Sequence, residues 1–187
     1  MAVSDGSFKD KFRTAAWVIE GRRSDGRLEG QCIIPGGPED QSAYRSELGG
    51  LYAIAAMVQV ICELHNIQEG SIDVACDGMN ALAQVGEADL IIRPNGAQYD
   101  IIAVTQAKIK WTNIQWKMRH VMGHQDDTQG CTVMDRWETL NCMMDERAKQ
   151  HWQHHSTRTT RVQAVVDGEP WAVWTGSSKI CRRLAAQ

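Results

Sequence analysis

Several features are missing from this sequence of 187 residues, and each absence excludes a class of protein. No apolar run approaches the roughly 18–20 residues needed to cross a bilayer, and the first residues lack the basic-then-apolar pattern of a secretory signal. The six cysteines include no CxxC pair, so we expect reduced thiols that serve as small core hydrophobes. We therefore expect a soluble intracellular protein, in the cytoplasm or the nucleus, with no membrane partner.

A positive net charge is also missing. The formal net charge is -3, so no global basic field argues for binding to nucleic acid. A cluster of catalytic acids would lower the net charge while a local basic strip still held phosphates, so nucleic acid stays possible as a partner. With 43% hydrophobic and 23% charged residues, the chain is long enough for one sizeable core and too short for two comfortable domains.

The hydrophobic pattern indicates a mixed sheet with helices on its faces. Alternation predicts three antiparallel strands: the opening stretch, residues 12–20 and residues 28–34. A long helix is predicted over 46–67, because apolar residues recur there at helical spacing. The later predicted elements are a strand ending at Asp77, a helix over 79–85, a helix over 97–111, a strand over 113–124 and a helix from about Met134 to Trp152.

Four acids stand where this order of elements brings them together. Asp5 on the first strand and Asp77 at the end of the fourth can be neighbours in the sheet, Glu47 lies on the sheet-facing stripe of the long helix, and Asp145 lies on the last helix. Four converging carboxylates cannot all stay ionised unless cations neutralise them, and hard oxygen ligands suit Mg²⁺ or Mn²⁺. Two such ions about 4 Å apart can activate a water in phosphodiester hydrolysis.

Five segments carry a resemblance to a known family. In chain order, SDGS, YRSELGGLYAI, VACDG, VMGHQDD and LNCMMDERAK resemble the motifs of type 1 ribonuclease H, particularly the versions embedded in retroelement polyproteins. The resemblance covers roughly residues 1–152. It implies an α/β, ribonuclease H-like fold, with three antiparallel and then two parallel strands in a five-stranded mixed sheet and helices on both faces. It also implies an endonuclease that hydrolyses the RNA strand of RNA–DNA hybrids with two Mg²⁺ ions, for which Mn²⁺ can substitute.

The resemblance assigns roles to residues of this chain. It makes Asp5, Glu47, Asp77 and Asp145 the metal ligands and catalytic acids. It makes His124 the mobile catalytic histidine, which shuttles a proton or helps product leave.

Substrate contacts are expected at five further positions. Gly6 and Ser7 offer backbone amides to the minor groove of the hybrid. Tyr44 occupies a position before Glu47 where relatives often carry amide side chains, and Asn80 is expected to replace one of these. Asn141 resembles the asparagine that the family has four residues before the last acid.

The chain departs from the family pattern in two places. Few residues precede Asp5, so we expect a segment of a longer reverse-transcriptase polyprotein. The stretch GEADLIIRPNGAQ is apolar and acidic where some relatives carry a basic protrusion, so we expect weak, salt-sensitive binding of the hybrid. We assign residues 1–155 to the catalytic domain and residues 156–187 to a C-terminal extension, a hairpin plus a short helix packed on it. We expect a monomer.

Other interpretations keep some of these residues and change the function. A catalytically degenerate nucleic-acid-binding module of a retroelement polyprotein would explain the missing substrate amides, although such copies usually lose an acid. A proofreading exonuclease would need a second acid at Ser7, and a transposase would lack the GH and final-helix pattern. His151 and His155 are one helical turn apart, which suits zinc, but no cysteine or third histidine has matching spacing nearby.

Overall fold

The computed structural model describes residues 1–21, 26–37, 42–87, 96–123, 134–157, 165–169, 174–175 and 178–179. Its first three strands, β1 (Ala2–Lys9), β2 (Phe12–Glu20) and β3 (Arg27–Ile33), form an antiparallel meander. The turn between β1 and β2 consists of Asp10 and Lys11, both with positive φ (49° and 61°), a conformation that matches the twist of a two-residue hairpin.

The rest of the fold adds two parallel strands and four helices. The elements are α1 (Ala43–Leu64), β4 (Ser71–Cys76), α2 (Met79–Gly86), α3 (Tyr99–Trp111), β5 (Gln115–His120) and α4 (Arg136–Ser156). β4 pairs with β1 and β5 pairs with β4, both in parallel, so the sheet order is β3-β2-β1-β4-β5. The predicted five-stranded mixed sheet is confirmed.

Side chains that alternate along the strands pack into two hydrophobic cores, one on each face of the sheet. Ala2 and Ala15 belong to the larger core, which contains the buried residues of α1, α2 and α3. Val3 and Ala16 belong to the smaller core, which packs against Leu140 and the neighbouring residues of α4. The helices therefore cover both faces, and α1 and α4 lie on opposite sides of β1.

Capping residues set where the two long helices begin. The Ser42 hydroxyl accepts a hydrogen bond from Arg45 N (3.1 Å), so α1 starts three residues earlier than its apolar spacing predicted. At α4 a reciprocal capping box joins Asp135 and Glu138, and the helix begins at Arg136. Met134, expected to be the first residue on the buried stripe of this helix, precedes the cap and is exposed.

By length and mean hydropathy, α1 also qualifies as a helix that could cross a membrane, contrary to the sequence expectation. Such criteria are met by the core helices of folded domains as well. In this fold its apolar stripe, with Leu48, Leu51, Ile54 and Val58 buried, packs on the larger core.

Beyond α4, the described residues are few. Val166 is fully buried in the larger core, and the Tyr52 hydroxyl donates to the Asp167 carbonyl (3.0 Å), so this stretch contacts α1. Two short strands, β6 (Trp174–Thr175) and β7 (Ser178–Lys179), pair antiparallel. The short helix expected after them lies outside the described residues, and the division at residues 155 and 156 stays a prediction.

Candidate metal centre

The sheet register brings the first two acids together. Ala2 pairs with Val74 and Val3 with Ala75, so continuing this parallel register by two residues places Asp5 beside Asp77. Asp77 follows the last residue of β4 and thus lies at the carboxyl end of the parallel strands. Glu47 comes from α1 on one face of the sheet and Asp145 from α4 on the other. Four elements thus supply one carboxylate each.

The protonation of these acids shows that they interact. Burial, followed by the charges of Asp77, Glu47 and Asp145, raises the pKa of Asp5 to about 9, against a smaller opposing effect of the hydrogen bond from the Gly6 amide. Burial, followed by the charges of Asp77 and Asp145, raises the pKa of Glu47 to about 8, although a hydrogen bond from the Cys76 thiol lowers it. At neutral pH the cluster therefore holds protons, and it can ionise fully only when cations replace them.

Asn141 holds Asp5 from α4. Its Nδ2 donates a hydrogen bond to Asp5 Oδ2 (3.0 Å), and the asparagine is only 1% exposed. Within the part of the chain that the structure describes, Asn141 Oδ1 has no hydrogen-bond partner. Buried acceptors are rarely left in that state, so this atom indicates that a donor or a cation belongs nearby. Carboxylate and amide oxygens are the ligands that Mg²⁺ and Mn²⁺ prefer, so the residues present fit such ions.

Cys76 touches the acid cluster, which the sequence analysis missed by treating it as a core thiol. It is fully buried in the larger core, as expected, yet its Sγ lies 3.0 Å from Glu47 Oε2 and 3.8 Å from Asp77 Oδ1. The Gly78 amide donates to the same sulfur over 3.3 Å. Its position immediately before Asp77 at a strand end was the available signal.

Lys149 is a second residue of the site that sequence reasoning missed. Its Nζ contacts Asp145 Oδ2 at 2.5 Å, four residues away on α4, and the lysine side chain is 46% exposed. The i,i+4 spacing was visible in the sequence. In the absence of metal, this ammonium supplies part of the positive charge that Asp145 needs.

Comparison with solved structures identifies the architecture. The chain resembles the N-terminal RNase H domain of Rv2228c from Mycobacterium tuberculosis, solved as a fusion with maltose-binding protein, with a TM-score of 0.51 and 14% identity over 83% of this chain and 95% of that one. It resembles RNase H1 from the archaeon Halobacterium salinarum NRC-1 with a TM-score of 0.52 and 13% identity over 82% and 96%. The chain has the ribonuclease H fold.

A third structure of this fold, LC11-RNase H1 solved in complex with an RNA/DNA hybrid, has a TM-score of 0.54 and 10% identity over 80% of this chain and 93% of that one. No protein-family model and no curated protein sequence matches the chain. At identities this low the likeness shows the ribonuclease H fold, and the activity has to be argued from the site.

The residues expected to contact substrate differ in how far they are buried on this ribonuclease H fold. A Cβ added to Gly6 would lie 2.5 Å from the carbonyl carbon of Ser46, so the start of α1 occupies the space beside this glycine. The Ser7 carbonyl accepts from the Ser46 hydroxyl (3.2 Å). Tyr44 is half-buried against the larger core, and Asn80 is exposed on the first turn of α2.

Other predictions fall partly or wholly outside the described residues. His124 lies there, as does most of the segment in which a basic protrusion is missing. Two basic residues of the described ranges already have partners within the fold: Arg119 pairs with Asp135 (3.3 Å) and Lys108 donates to Gln59 (3.1 Å). The rings of His151 and His155 have centroids 4.4 Å apart and planes tilted by 52°, and no third metal-ligating group joins them within the described ranges.

Proposed function

We propose that this chain is a metal-dependent endoribonuclease that hydrolyses the RNA strand of RNA–DNA hybrids by a two-metal-ion mechanism. The observation that carries the proposal is the meeting of four carboxylates, from β1, α1, the end of β4 and α4, on a ribonuclease H fold. The presence of a hybrid in the structure of LC11-RNase H1 supports this substrate class.

The four acids would bind the metal ions. Asp5, Glu47, Asp77 and Asp145 would hold two Mg²⁺ ions, or Mn²⁺ as a substitute. When bound, such ions make a water more acidic and stabilise charge on the leaving oxygen. Asp5 and Glu47 are protonated in the metal-free protein at neutral pH because their pKa values are raised, so they release protons as they take up this role.

Further residues would orient the acids and the substrate. The Asn141 amide fixes Asp5 through the 3.0 Å hydrogen bond, and Asn141 stays a proposed contact to the hybrid. His124 would shuttle a proton or assist product release. Ser7 and Asn80 remain proposed contacts to the hybrid, together with the Gly6 amide and Tyr44.

The cellular setting is a separate part of the proposal. The five ordered motifs favour a domain of a retroelement reverse-transcriptase polyprotein. A monomer that works inside the cell is the default for such a domain. Because the apolar and acidic stretch before α3 offers little positive charge, binding of the hybrid should weaken steeply as salt is raised.

The test is metal-dependent cleavage of an RNA–DNA hybrid labelled on the RNA strand, with single-stranded RNA, duplex RNA and duplex DNA as control substrates. Cutting of the hybrid alone, with Mg²⁺ or Mn²⁺, is expected. Asp77→Asn should abolish cutting, while Asp73→Asn, which changes an acid within β4 four residues earlier, should preserve it. A parent protein that fails to cut the hybrid with either metal would overturn the proposal.

A second candidate is a binding module that no longer cuts. It is favoured by the half-buried packing of Tyr44, where relatives often carry an amide, and by the helix that fills the space beside Gly6. This candidate predicts that the protein binds the hybrid in a filter-binding or anisotropy assay and leaves its RNA strand intact in both metals.

A further inference from the structure

Cys76 lies against two of the acids proposed to hold Mg²⁺. One ligand atom each from Glu47, Cys76 and Asp77 lies within 4.8 Å of the other two. Bonds of about 2.3 Å from zinc to sulfur and 2.0–2.2 Å to oxygen place the two ligand atoms roughly 3.6 Å apart at a tetrahedral angle. The Cys76 sulfur is 3.0 Å from Glu47 Oε2 and 3.8 Å from Asp77 Oδ1, so the observed separations bracket this value.

The three groups differ in their exposure to solvent. Cys76 is fully buried, whereas Glu47 and Asp77 are half-buried, so an arriving cation would meet the carboxylates before the sulfur. The Gly78 amide points at the sulfur from 3.3 Å and would stabilise its negative charge once a metal has displaced the proton.

Asn141, which is bonded to the neighbouring Asp5, indicates that the acids around this cluster take a ligand. The side chain is 1% exposed and is fixed to Asp5, whose pKa is raised by the charges of Glu47 and Asp77. Its Oδ1 has no hydrogen-bond partner among the described residues. An amide oxygen in this state beside an acid cluster suits a cation or a water bound to one.

We propose that Glu47, Cys76 and Asp77 form a site for one thiophilic divalent cation of the Zn²⁺ and Cd²⁺ class, which takes ligands from Mg²⁺ and so inhibits the nuclease. Soft sulfur favours such cations, whereas Mg²⁺ gains nothing from a thiolate. Only the inhibition rests on the proposed function, because binding of the cation through sulfur needs no substrate.

Cadmium is the probe, because its bond to sulfur gives an ultraviolet charge-transfer band that carboxylates do not produce. The full-length chain is titrated with Cd²⁺ without nucleic acid, beside Cys76→Ser and a matched control, Cys62→Ser, a buried thiol of α1. Cys76→Ser should lose one thiol's share of the band and bind Cd²⁺ roughly tenfold more weakly or worse, whereas Cys62→Ser should match the parent. Identical titrations of the parent and Cys76→Ser would overturn the proposal.

A second variant covers the case in which Cys76→Ser does not fold. Glu47→Gln keeps every thiol and removes one carboxylate, so it should also weaken Cd²⁺ binding, and an unchanged affinity would overturn the shared site.

The proposed nuclease activity and the proposed thiophilic site can fail independently of each other. A Cys76-dependent band in a protein that cuts no hybrid removes the nuclease alone, and cutting with Mg²⁺ in a protein without that band removes the thiophilic site alone.

Discussion

Asn141 donates a hydrogen bond to Asp5 across 136 positions of the chain, from Nδ2 to Oδ2 over 3.0 Å. Both side chains are buried, so this bond is protected from water. It ties the last helix to the first strand at the acid cluster. The orientation of Asp5 therefore depends on α4 as well as on the strand that carries it.

Asn141→Asp keeps the shape of the side chain and adds a fifth acid to the cluster. We expect the metal-free protein to lose about 1–3 kcal/mol of unfolding free energy at pH 8, because a buried donor becomes an acceptor facing Asp5. The loss should shrink near pH 5, because the neighbouring acids and burial raise the pKa of the new carboxyl and the proton that it takes up on folding costs less there. Thermal unfolding at both pH values measures this, with the exposed Asn113→Asp as control. An equal loss at the two pH values would show that the two acids do not interact.

Asp5 should make the metal-free protein more stable in acid. Its pKa is raised to about 9 in the folded state, so the folded protein binds a proton that the unfolded chain releases above about pH 4. The contribution of this group is therefore complete below about pH 4 and is lost as the pH rises toward 9. Chemical unfolding across this range should give falling stability for the parent. A flatter profile is expected for Asp5→Asn, which should unfold roughly 2–4 °C higher than the parent at pH 8. A parent profile that rises with pH would refute the assigned shift.

Lys149→Met removes the ammonium that competes with metal for Asp145. The pair is partly exposed and is worth little, so Mg²⁺ or Mn²⁺ should bind roughly two- to fivefold more tightly to the variant. Isothermal titration with Mn²⁺ measures the change. Lys110→Met, on α3, serves as the control for a lost surface charge. If Lys149→Met binds Mn²⁺ no more tightly than the parent, Lys149 is not a competitor at this site.

Gly6→Ala should displace the start of α1. A Cβ at Gly6 would lie 2.5 Å from the Ser46 carbonyl carbon and 2.7 Å from Glu47 N, and backbone atoms cannot move aside as a flexible side chain would. We expect a loss of roughly 1–3 kcal/mol in stability and a larger fall in metal binding, because Glu47 moves. Gly26→Ala is the matched control, since nothing lies within 4 Å of its added Cβ. Normal Mn²⁺ binding by Gly6→Ala would show that Glu47 keeps its place.

Arg45→Met should be the most destabilising of these substitutions. The buried guanidinium donates from both Nη atoms to Asp100 (2.8 Å each) and from Nε to the Pro35 carbonyl (2.8 Å). Removing it deprives a buried carboxylate of its bidentate guanidinium partner, at a cost of about 3–5 kcal/mol. Denaturant unfolding measures the loss, and adding Asp100→Leu should recover part of it. If the double variant is no more stable than Arg45→Met, the cost comes from lost packing.

The strand order and the meeting of Asp5 with Asp77 could be predicted, because both follow from the pattern of the elements. Alternation marks the strands, and parallel strands end at the same edge of a sheet. The start of α1 was predicted three residues late, since apolar spacing begins at the buried stripe and Ser42 caps the helix before it.

The contacts of individual side chains could not be predicted in the same way. Alternation assigns Cys76 to the core face, and that is correct, but it does not reveal that Glu47 reaches over the strand end to the same sulfur. The amide of Gly6 stays a predicted contact to substrate, but residue spacing did not reveal that α1 lies in the direction of the absent Cβ. Such contacts depend on how closely the helix approaches the sheet, and residue spacing carries no measure of that distance.

Two glycines of α1 set that distance. A Cβ at Gly49 would overlap the Ile34 side chain, and one at Gly50 would lie 2.7 Å from Ser4 Cβ, so larger residues would lift the helix away from the sheet. Glu47 lies two residues before this pair on the same helix. Selection that preserves the acid cluster therefore also acts on Gly49 and Gly50, which have no side chain that could bind metal or substrate. In a library of functional variants, these two positions should tolerate as few substitutions as Glu47.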